Sequence, residues 1–196
     1  MADDNITKQK DKIRKEILGI RDALLPDVRT LKSRSIQARL LALPEIQDAK
    51  EIFLYVSFRS EVDTHEMIRA FLGNRKNISV PLTDMKLKKL TPLRIRNFET
   101  DLVPGTMDIL EPGPENAEPV SPDAIDVIIT PGAAFSEQGW RIGYGGGFYD
   151  RFFKDYGKKS YALAFELQIV QDIPFDPVYD VGVGCIVTES RVINCK

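Results

Sequence analysis

The residues best suited to chemistry are the glycine-rich stretch 141–151, which reads Arg-Ile-Gly-Tyr-Gly-Gly-Gly-Phe-Tyr-Asp-Arg. Glycine lacks a Cβ atom, so its backbone can adopt positive φ angles and approach a ligand closely. Successive N–H groups that lead into a helix form a natural anion site. Since arginines stand at both ends, we predict a phosphate-binding loop. The alternative is a loop whose glycines only permit tight turns.

The stretch matches neither common nucleotide-binding fingerprint. No Lys-Ser/Thr pair follows the glycines, as a P-loop requires, and Phe148 stands where a dinucleotide fingerprint has its third glycine. Residues 148–156 are expected to form a short helix, which places Asp150 in its first turn. Asp150 could complement the helix dipole, or it could bind Mg²⁺ together with phosphate oxygens.

The rest of the sequence predicts the elements that position this loop. Residues 52–56 form an unbroken apolar run, which is typical of a strand covered on both faces. The other predicted strands are 78–80, 125–130, 161–165 and 181–188, and helices are predicted over 6–24, over about 27–43 and from Thr64. Residues 101–130 carry five prolines and predict a long irregular connection. The alternation of strands and helices favours an α/β fold.

Several local details follow from the same patterns. Pro81 is expected to end the second strand, and residues 85–96 are expected to form a basic hairpin with its turn near Thr91 and Pro92. Asp63 and Glu66 are expected to form a capping box at the start of the third helix. The buried side of the second helix is expected to consist of Leu31, Ile36, Leu40, Leu41 and Leu43.

Composition limits the class of protein. The 196 residues are 43% hydrophobic and 29% charged, with a net charge of −2, so one globular domain over residues 1–196 is expected, and bulk charge gives no case for nucleic acid or an anionic membrane. No apolar run has the length of a membrane span, and the N-terminus lacks the apolar core of a signal peptide. Cys185 and Cys195 are too few for a disulfide framework. We therefore expect a cytoplasmic protein, and a monomer.

Two motifs resemble one family closely. Residues 130–135 (Thr-Pro-Gly-Ala-Ala-Phe) and 139–151 (from Gly-Trp to Asp-Arg) resemble the signature of the 5-formyltetrahydrofolate cyclo-ligases, also called methenyltetrahydrofolate synthetases. The similarity extends over most of the chain. It implies a three-layer α/β sandwich with a central, mixed but mostly parallel sheet flanked by helices, similar to sugar-phosphate isomerases and CoA-transferases. It also implies ATP and Mg²⁺ as cofactors.

The resemblance implies roles for individual residues. Lys10 and Arg14 share a helix face because they are four apart; they match the family's phosphate-binding pair and act in catalysis with Arg141. The nucleotide-binding positions are Lys10, Arg14, Arg141, Ile142, Gly143, Tyr144, Gly145, Gly146, Gly147, Phe148 and Tyr149. The folate-binding positions are Val56, Glu61, Tyr144, Gly145, Gly146, Gly147, Phe148 and Gln168. The metal ligands are Asp150 and Asp180.

Three of these assignments have alternatives in the residues themselves. Glu61 follows the first strand and could accept adjacent pterin N–H groups, or it could be a surface residue. Asp180, on sequence alone, only precedes the last strand. Some relatives carry Arg and Lys where this chain has Tyr144 and Gly146, so Tyr144 could stack on adenine or close the pocket.

The implied reaction is the ATP-dependent closure of 5-formyltetrahydrofolate to 5,10-methenyltetrahydrofolate. The folate could be polyglutamylated, since Lys86, Lys88 and Lys89 could attract an acidic tail; an ordinary solvated hairpin is the alternative. One rival function is a sugar-phosphate isomerase or CoA-transferase-like enzyme, which would not consume ATP. The other is a protein that binds folate and nucleotide without turnover.

Overall fold

The computed structural model of the protein describes residues 4–116, 118–154, 156 and 159–195. The helices are α1 (Asp4–Asp22), α2 (Pro26–Leu41), α3 (Pro44–Asp48), α4 (His65–Gly73), α5 (Phe98–Asp101) and α6 (Phe148–Lys154). The strands are β1 (Glu51–Leu54), β2 (Asn77–Asp84), β3 (Lys89–Ile95), β4 (Leu102–Pro104), β5 (Leu110–Pro112), β6 (Glu118–Pro119), β7 (Val127–Thr130), β8 (Ala134–Ser136), β9 (Arg141–Ile142), β10 (Ser160–Leu163), β11 (Ile169–Val170), β12 (Cys185–Val187) and β13 (Val192–Asn194).

Within the described residues, eight strands form the central sheet in the order β13-β12-β10-β7-β1-β2-β3-β6. The five inner strands, from β12 to β2, are parallel to one another. The strands β13, β3 and β6 run antiparallel to their neighbours at the two edges. The predicted α/β fold with a mixed, mostly parallel sheet is therefore confirmed.

Side chains of the inner strands alternate between two apolar layers, as the period of a strand requires. Ile52 and Leu54 pack with the helices α2, α3 and α4 on one face of the sheet. Phe53 points to the other face and packs with Phe152 of α6 and Phe135 of β8. Apolar residues on both faces explain why β1 reads as a continuous hydrophobic run. The predicted three layers follow from this arrangement.

The order of the strands creates a crevice where functional residues can meet. From β1 the chain crosses to β2 on one side, whereas from β7 it crosses to β10 on the other side. In such sheets, ligands bind outside the carboxyl ends of the two strands at this switch point. The segments that leave those ends are residues 55–64 after β1 and residues 131–147 after β7. They contain Glu61 and the glycine-rich stretch.

The hairpin of β2 and β3 corrects two predictions. Pro81 does not end β2; it lies within the strand, opposite Pro92, and the turn falls at residues 85–88 instead of near Thr91. A proline is tolerated at this point because β1 pairs with β2 only as far as Ser79, so no bond to β1 is lost. The alternating residues correctly predicted a hairpin, but the hairpin begins earlier in the chain than predicted.

Two helix details also differ from expectation. Asp63 accepts a hydrogen bond from the His65 N–H at 2.9 Å, but no capping box forms, because Glu66 pairs with Arg69. In α2, Leu31 is 64% exposed, although it was expected on the buried side. In the described part of the chain, no helix has the length and apolar character needed to cross a membrane. A single domain stays a prediction.

Candidate functional site

A small sheet next to the crevice holds Arg141 in place. The strand β9 pairs antiparallel with β8, which places Arg141 opposite Phe135, and β11 pairs parallel with β8. Helix α1 packs on this sheet through Ile17, which contacts the same apolar cluster as Ala133 and Ala134. Strands of two or three residues are too short for a periodic pattern, which is why the sequence did not reveal them.

The Arg141 guanidinium is buried beneath the glycine loop, which we define as residues 143–147. Its Nη2 donates to Asp150 Oδ1 at 3.1 Å, and its Cζ lies 5.6 Å from the ring centre of Tyr149. A Cβ atom at Gly143 would lie 2.9 Å from Arg141 Nη1, so the loop rests directly on the guanidinium. Nε is buried and has no hydrogen-bond partner among the described residues. Such orphaned donors are rare, and one beside a phosphate-sized loop is consistent with an anionic ligand.

The glycine loop turns its carbonyl groups towards arginines. Arg14 Nε donates to the Gly143 carbonyl at 2.7 Å, and Arg151 donates to the Gly146 carbonyl. Gly145 has a φ of 95°, which only glycine adopts easily. Within the described residues, no N–H group of the loop donates to another protein group. The loop can therefore offer these N–H groups to an anion.

Helix α1 brings Arg14, one member of the predicted basic pair, to this loop. Arg14 contacts the loop directly and also pairs with Asp11 on its own helix. Lys10, the other member, forms an ion pair with Asp180, and both side chains are mostly buried. The structure thus places Arg14 and Arg141 against the same loop, although they are far apart in sequence.

The two predicted metal ligands belong to segments that contact each other. The Val181 N–H approaches Asp150 Oδ1 at 3.4 Å, and Asp180 is the residue before Val181. Asp180 also accepts a hydrogen bond from the Asp176 N–H at 2.6 Å. No group of three or more metal-ligating side chains occurs in the described part of the chain. Two carboxylates suit Mg²⁺, which usually completes its shell with phosphate oxygens and water.

Glu61 lies across the crevice in a polar and aromatic pocket. Its Oε2 accepts a hydrogen bond from the Phe58 N–H at 2.9 Å. Burial raises the pKa of the Glu61 carboxyl above its usual value, although the Tyr144 hydroxyl, the Phe58 N–H and the Arg21 charge each act to lower it. The Tyr149 hydroxyl, which interacts electrostatically with Glu61, is buried without a hydrogen-bond partner in the described structure.

The remaining predicted positions line or support this crevice. Val56 follows β1 and is 4% exposed. Gln168 is fully engaged with the backbone: its side chain accepts from the Phe165 N–H at 2.9 Å and donates to the carbonyls of Gly132 at 2.8 Å and Ala133 at 3.0 Å. A direct folate contact of Gln168 stays a prediction. The observed bonds let it fix the segment between β7 and β8.

Sequence reasoning missed one buried charge, Arg21. It is 4% exposed and reaches the loop segments on both sides of the crevice. A signal was present, because Lys10, Arg14, Ile17 and Arg21 follow one another at spacings of four, three and four on one helix face. On the same helix, the apolar residue Ile20 is by contrast 49% exposed.

Comparisons with known proteins identify the family. The sequence profile of the 5-formyltetrahydrofolate cyclo-ligase family matches residues 6–189. The chain is 33% identical over 216 aligned positions to the mitochondrial 5-formyltetrahydrofolate cyclo-ligase of Arabidopsis thaliana, covering 97% of this chain and 77% of the relative. It is 32% identical to the enzyme of that name from Haemophilus influenzae, covering 91% of this chain and 99% of the relative.

A solved structure is also similar. The NMR structure of the Aquifex aeolicus 5,10-methenyltetrahydrofolate synthetase superposes with a TM-score of 0.84 at 29% identity, covering 95% of this chain and 93% of that one. The matched region in these comparisons includes the helix α1, the glycine loop and the segment after β1. The chain therefore belongs to the 5-formyltetrahydrofolate cyclo-ligase family.

Proposed function

We propose that this protein closes 5-formyltetrahydrofolate to 5,10-methenyltetrahydrofolate at the crevice, with ATP converted to ADP and phosphate. Membership in the family implies the cyclo-ligase activity and the use of ATP. The observation that supports this location best is the contact of two arginines, Arg14 and Arg141, with a loop whose N–H groups donate to no protein group among the described residues. Glu61 lies across the same crevice.

The chemistry explains why the enzyme needs ATP. The N5-formyl group is an amide, so its carbon is a weak electrophile and its oxygen is a poor leaving group. Transfer of the γ-phosphoryl group to the formyl oxygen forms an O–P bond, breaks the bond to ADP and leaves an iminium-like carbon. N10 then attacks this carbon, loses its proton to solvent, and the C–O bond breaks to release phosphate. A protein nucleophile is not required.

The phosphate side of the site supplies positioning and charge. The N–H groups of the glycine loop, together with Lys10 and Arg14, would hold the phosphates in line with the formyl oxygen. Arg141 lies beneath the loop and contributes a buried positive charge. Its interaction with an anion is stronger than that of an exposed charge, because water is excluded. Asp150 and Asp180 would hold Mg²⁺, which supplies charge neutralisation when bound. The metal role stays a proposal.

The folate side of the site supplies orientation. Glu61 would accept the adjacent N–H groups of the pterin ring in bidentate fashion. Val56 would form part of the apolar floor, and the aromatic rings of Phe148 and Tyr149 would line the path between the pterin and the phosphates. The Tyr149 hydroxyl is protonated at neutral pH, because burial and the Glu61 charge raise its pKa. It is therefore available as a donor to a substrate oxygen.

Two further properties remain proposals. A cytoplasmic location is consistent with two free cysteines among the described residues, whereas the Arabidopsis relative is named as mitochondrial. A monomeric state is the other proposal. Sedimentation of the purified protein would measure the oligomeric state directly.

The activity is tested by mixing the protein with 5-formyltetrahydrofolate, Mg²⁺ and ATP, and by following methenyltetrahydrofolate by its absorbance and ADP by chromatography. We expect both products in equal amounts and none without ATP. Isomerase-like chemistry would proceed without ATP, and a binding protein would retain folate without forming ADP. Either result would contradict the proposed function.

We predict that Glu61→Gln raises KM for the folate by about 10- to 100-fold, because a charge-assisted pair is lost, and has a smaller effect on KM for ATP. The parent should lose kcat/KM for folate as the pH falls through the Glu61 pKa, which burial places above the usual value of 4.5. Below that pH the carboxyl is protonated and cannot accept both N–H groups. The pH profile of the Gln variant should lack this acidic limb. An unchanged limb would show that another group titrates.

The basic hairpin lies beside the site and supports the proposal of a polyglutamate contact. Arg151, which donates to the Gly146 carbonyl, also donates to the Lys88 carbonyl at 2.8 Å. We predict that changing Lys86, Lys88 and Lys89 to glutamate raises KM for a polyglutamylated folate by about tenfold at low salt, with a smaller effect at high salt. KM for the monoglutamate should stay constant. Equal changes for both substrates would rule out a tail contact.

A further inference from the structure

Arg21 is a buried arginine that the reaction described above does not use. It lies near the end of α1 and is 4% exposed. Its Nε donates to Ser60 Oγ at 3.0 Å, in the segment that follows β1. Its Nη1 donates to the Tyr144 hydroxyl at 2.8 Å, in the glycine loop, and approaches the Gly132 carbonyl at 3.3 Å. One guanidinium therefore joins three segments that are distant in sequence.

Tyr144 extends this connection to Glu61. Although 49% of Tyr144 is exposed, its hydroxyl end lies against Arg21 and interacts with the Glu61 carboxyl. The hydroxyl accepts a hydrogen bond from Arg21, whose Nε holds Ser60, the residue before Glu61. The ring stands over the Arg21 guanidinium, with 5.7 Å between Cζ and the ring centre. This placement assigns Tyr144 to the crevice between the loops.

The surrounding residues orient the connection further. Ser60 receives the Arg21 hydrogen bond and donates its own proton to Asp22, so its hydroxyl has one orientation. Gly132 is shared, because its carbonyl also accepts from Gln168 at 2.8 Å. These contacts fix Arg21 in position, as buried networks do when every member is paired.

We infer that Arg21 is a positioning residue that couples the glycine loop, through the Tyr144 hydroxyl, to Ser60 and the adjoining Glu61, so that nucleotide and folate bind cooperatively. The inference rests on the proposed function, since it assigns the loop to ATP phosphates and Glu61 to the pterin. When phosphates order the loop, Tyr144 is held in place, and Glu61 is held in its folate-binding orientation. The coupling is reciprocal, so bound folate should also tighten nucleotide binding.

The titration of Glu61 provides a second test of this coupling. The groups that face its carboxyl are Arg21 from α1, Tyr144 from the glycine loop, Tyr149 from α6 and Tyr55 after β1. Of these, the Arg21 charge and the Tyr144 hydroxyl favour the ionised carboxylate. Loss of the Tyr144 hydroxyl should therefore shift the acidic limb of kcat/KM for folate to higher pH.

The experiment uses Tyr144→Phe, which keeps a half-exposed ring and removes only the hydroxyl. The matched control is Tyr156→Phe, because the Tyr156 hydroxyl donates to the Asp126 carbonyl at 3.2 Å, away from the crevice. Dissociation constants of 5-formyltetrahydrofolate are measured with and without a non-hydrolysable ATP analogue. We expect the analogue to tighten folate binding about tenfold in the parent and in Tyr156→Phe, and less than threefold in Tyr144→Phe.

Arg21→Lys adds a test of the guanidinium itself. A lysine keeps the charge but cannot contact Ser60 and Tyr144 at once. We expect Arg21→Lys to lose the coupling between nucleotide and folate binding. The double variant Arg21→Lys/Tyr144→Phe should lose no more coupling than either single variant, because the two residues act in one network. Thermal unfolding of each variant identifies loss of fold.

The outcomes separate this inference from the proposed function. If the parent converts folate with ATP but Tyr144→Phe matches Tyr156→Phe in coupling and pH profile, the inference alone is overturned. A parent without ATP-dependent turnover would overturn both. Loss of coupling together with the shift of the acidic limb in Tyr144→Phe would support the inference.

Discussion

Replacing Arg141 by alanine is expected to lower kcat by about 10²- to 10³-fold, the range seen when one donor to a developing anionic charge is removed. Arg141 is 6% exposed, and its guanidinium lies directly below Gly143. Its loss removes both the positive charge beneath the proposed phosphate site and the support of the loop. Stopped-flow or steady-state absorbance of the methenyl product would measure the effect.

The same substitution should also destabilise the fold, so stability must be measured separately. Asp150 would lose its pairing with Arg141, a partly buried ion pair whose disruption leaves a charge without its partner. Arg141→Lys keeps the charge and is expected to unfold at a temperature closer to the parent, but to recover little activity, since lysine cannot reproduce the planar donors. Arg96→Ala is the control, because Arg96 is an exposed arginine paired with Glu118. A folded Arg141→Lys with near-parental kcat would contradict the assigned role.

Replacing Lys10 by alanine is expected to raise KM for ATP by about 10- to 100-fold and to lower kcat, since the substitution removes a partly buried charge that we propose to contact phosphate. Arg14→Ala should have a similar effect, with an added loss of loop order because Arg14 holds the Gly143 carbonyl at 2.7 Å. KM for folate should change less than KM for ATP in both variants. Initial rates over a range of ATP concentrations would provide these constants.

The control for this pair is Lys12→Ala. Lys12 lies on the same helix, between Lys10 and Arg14, but its side chain is exposed. If all three variants changed KM for ATP equally, the effect would reflect the total charge of α1 and not a defined phosphate site. If Lys10→Ala and Arg14→Ala changed only the KM for folate, the assignment of ATP and folate to the two sides of the crevice would have to be exchanged.

The sequence predicted the parts of the site that depend on local patterns. The glycine loop was visible because four glycines in eleven residues are unusual, and the basic pair on α1 was visible because its spacing matches a helix face. The strand β1 was visible because a strand buried on both faces is apolar throughout. These features need no knowledge of distant contacts.

The features that the sequence did not reveal depend on distant contacts. Arg21 is an ordinary cation in a basic helix until the structure places Ser60 and Tyr144 around it. The role of Tyr144 was open between adenine stacking and pocket closure, and only its contact with Arg21 places it at the crevice. The strand β9, which aims Arg141, has two residues and therefore no pattern to detect. Long-range pairing, and not local propensity, fixes such elements.

The most direct test of the account follows the formyl oxygen itself. The substrate 5-formyltetrahydrofolate is prepared with ¹⁸O in the formyl group and converted by the protein in unlabelled water with ATP, and the released phosphate is examined by mass spectrometry. If the γ-phosphoryl group is transferred to the formyl oxygen, the phosphate will carry the label in proportion to the methenyltetrahydrofolate formed. Unlabelled phosphate, with the ¹⁸O recovered in water, would contradict phosphoryl transfer to the formyl group.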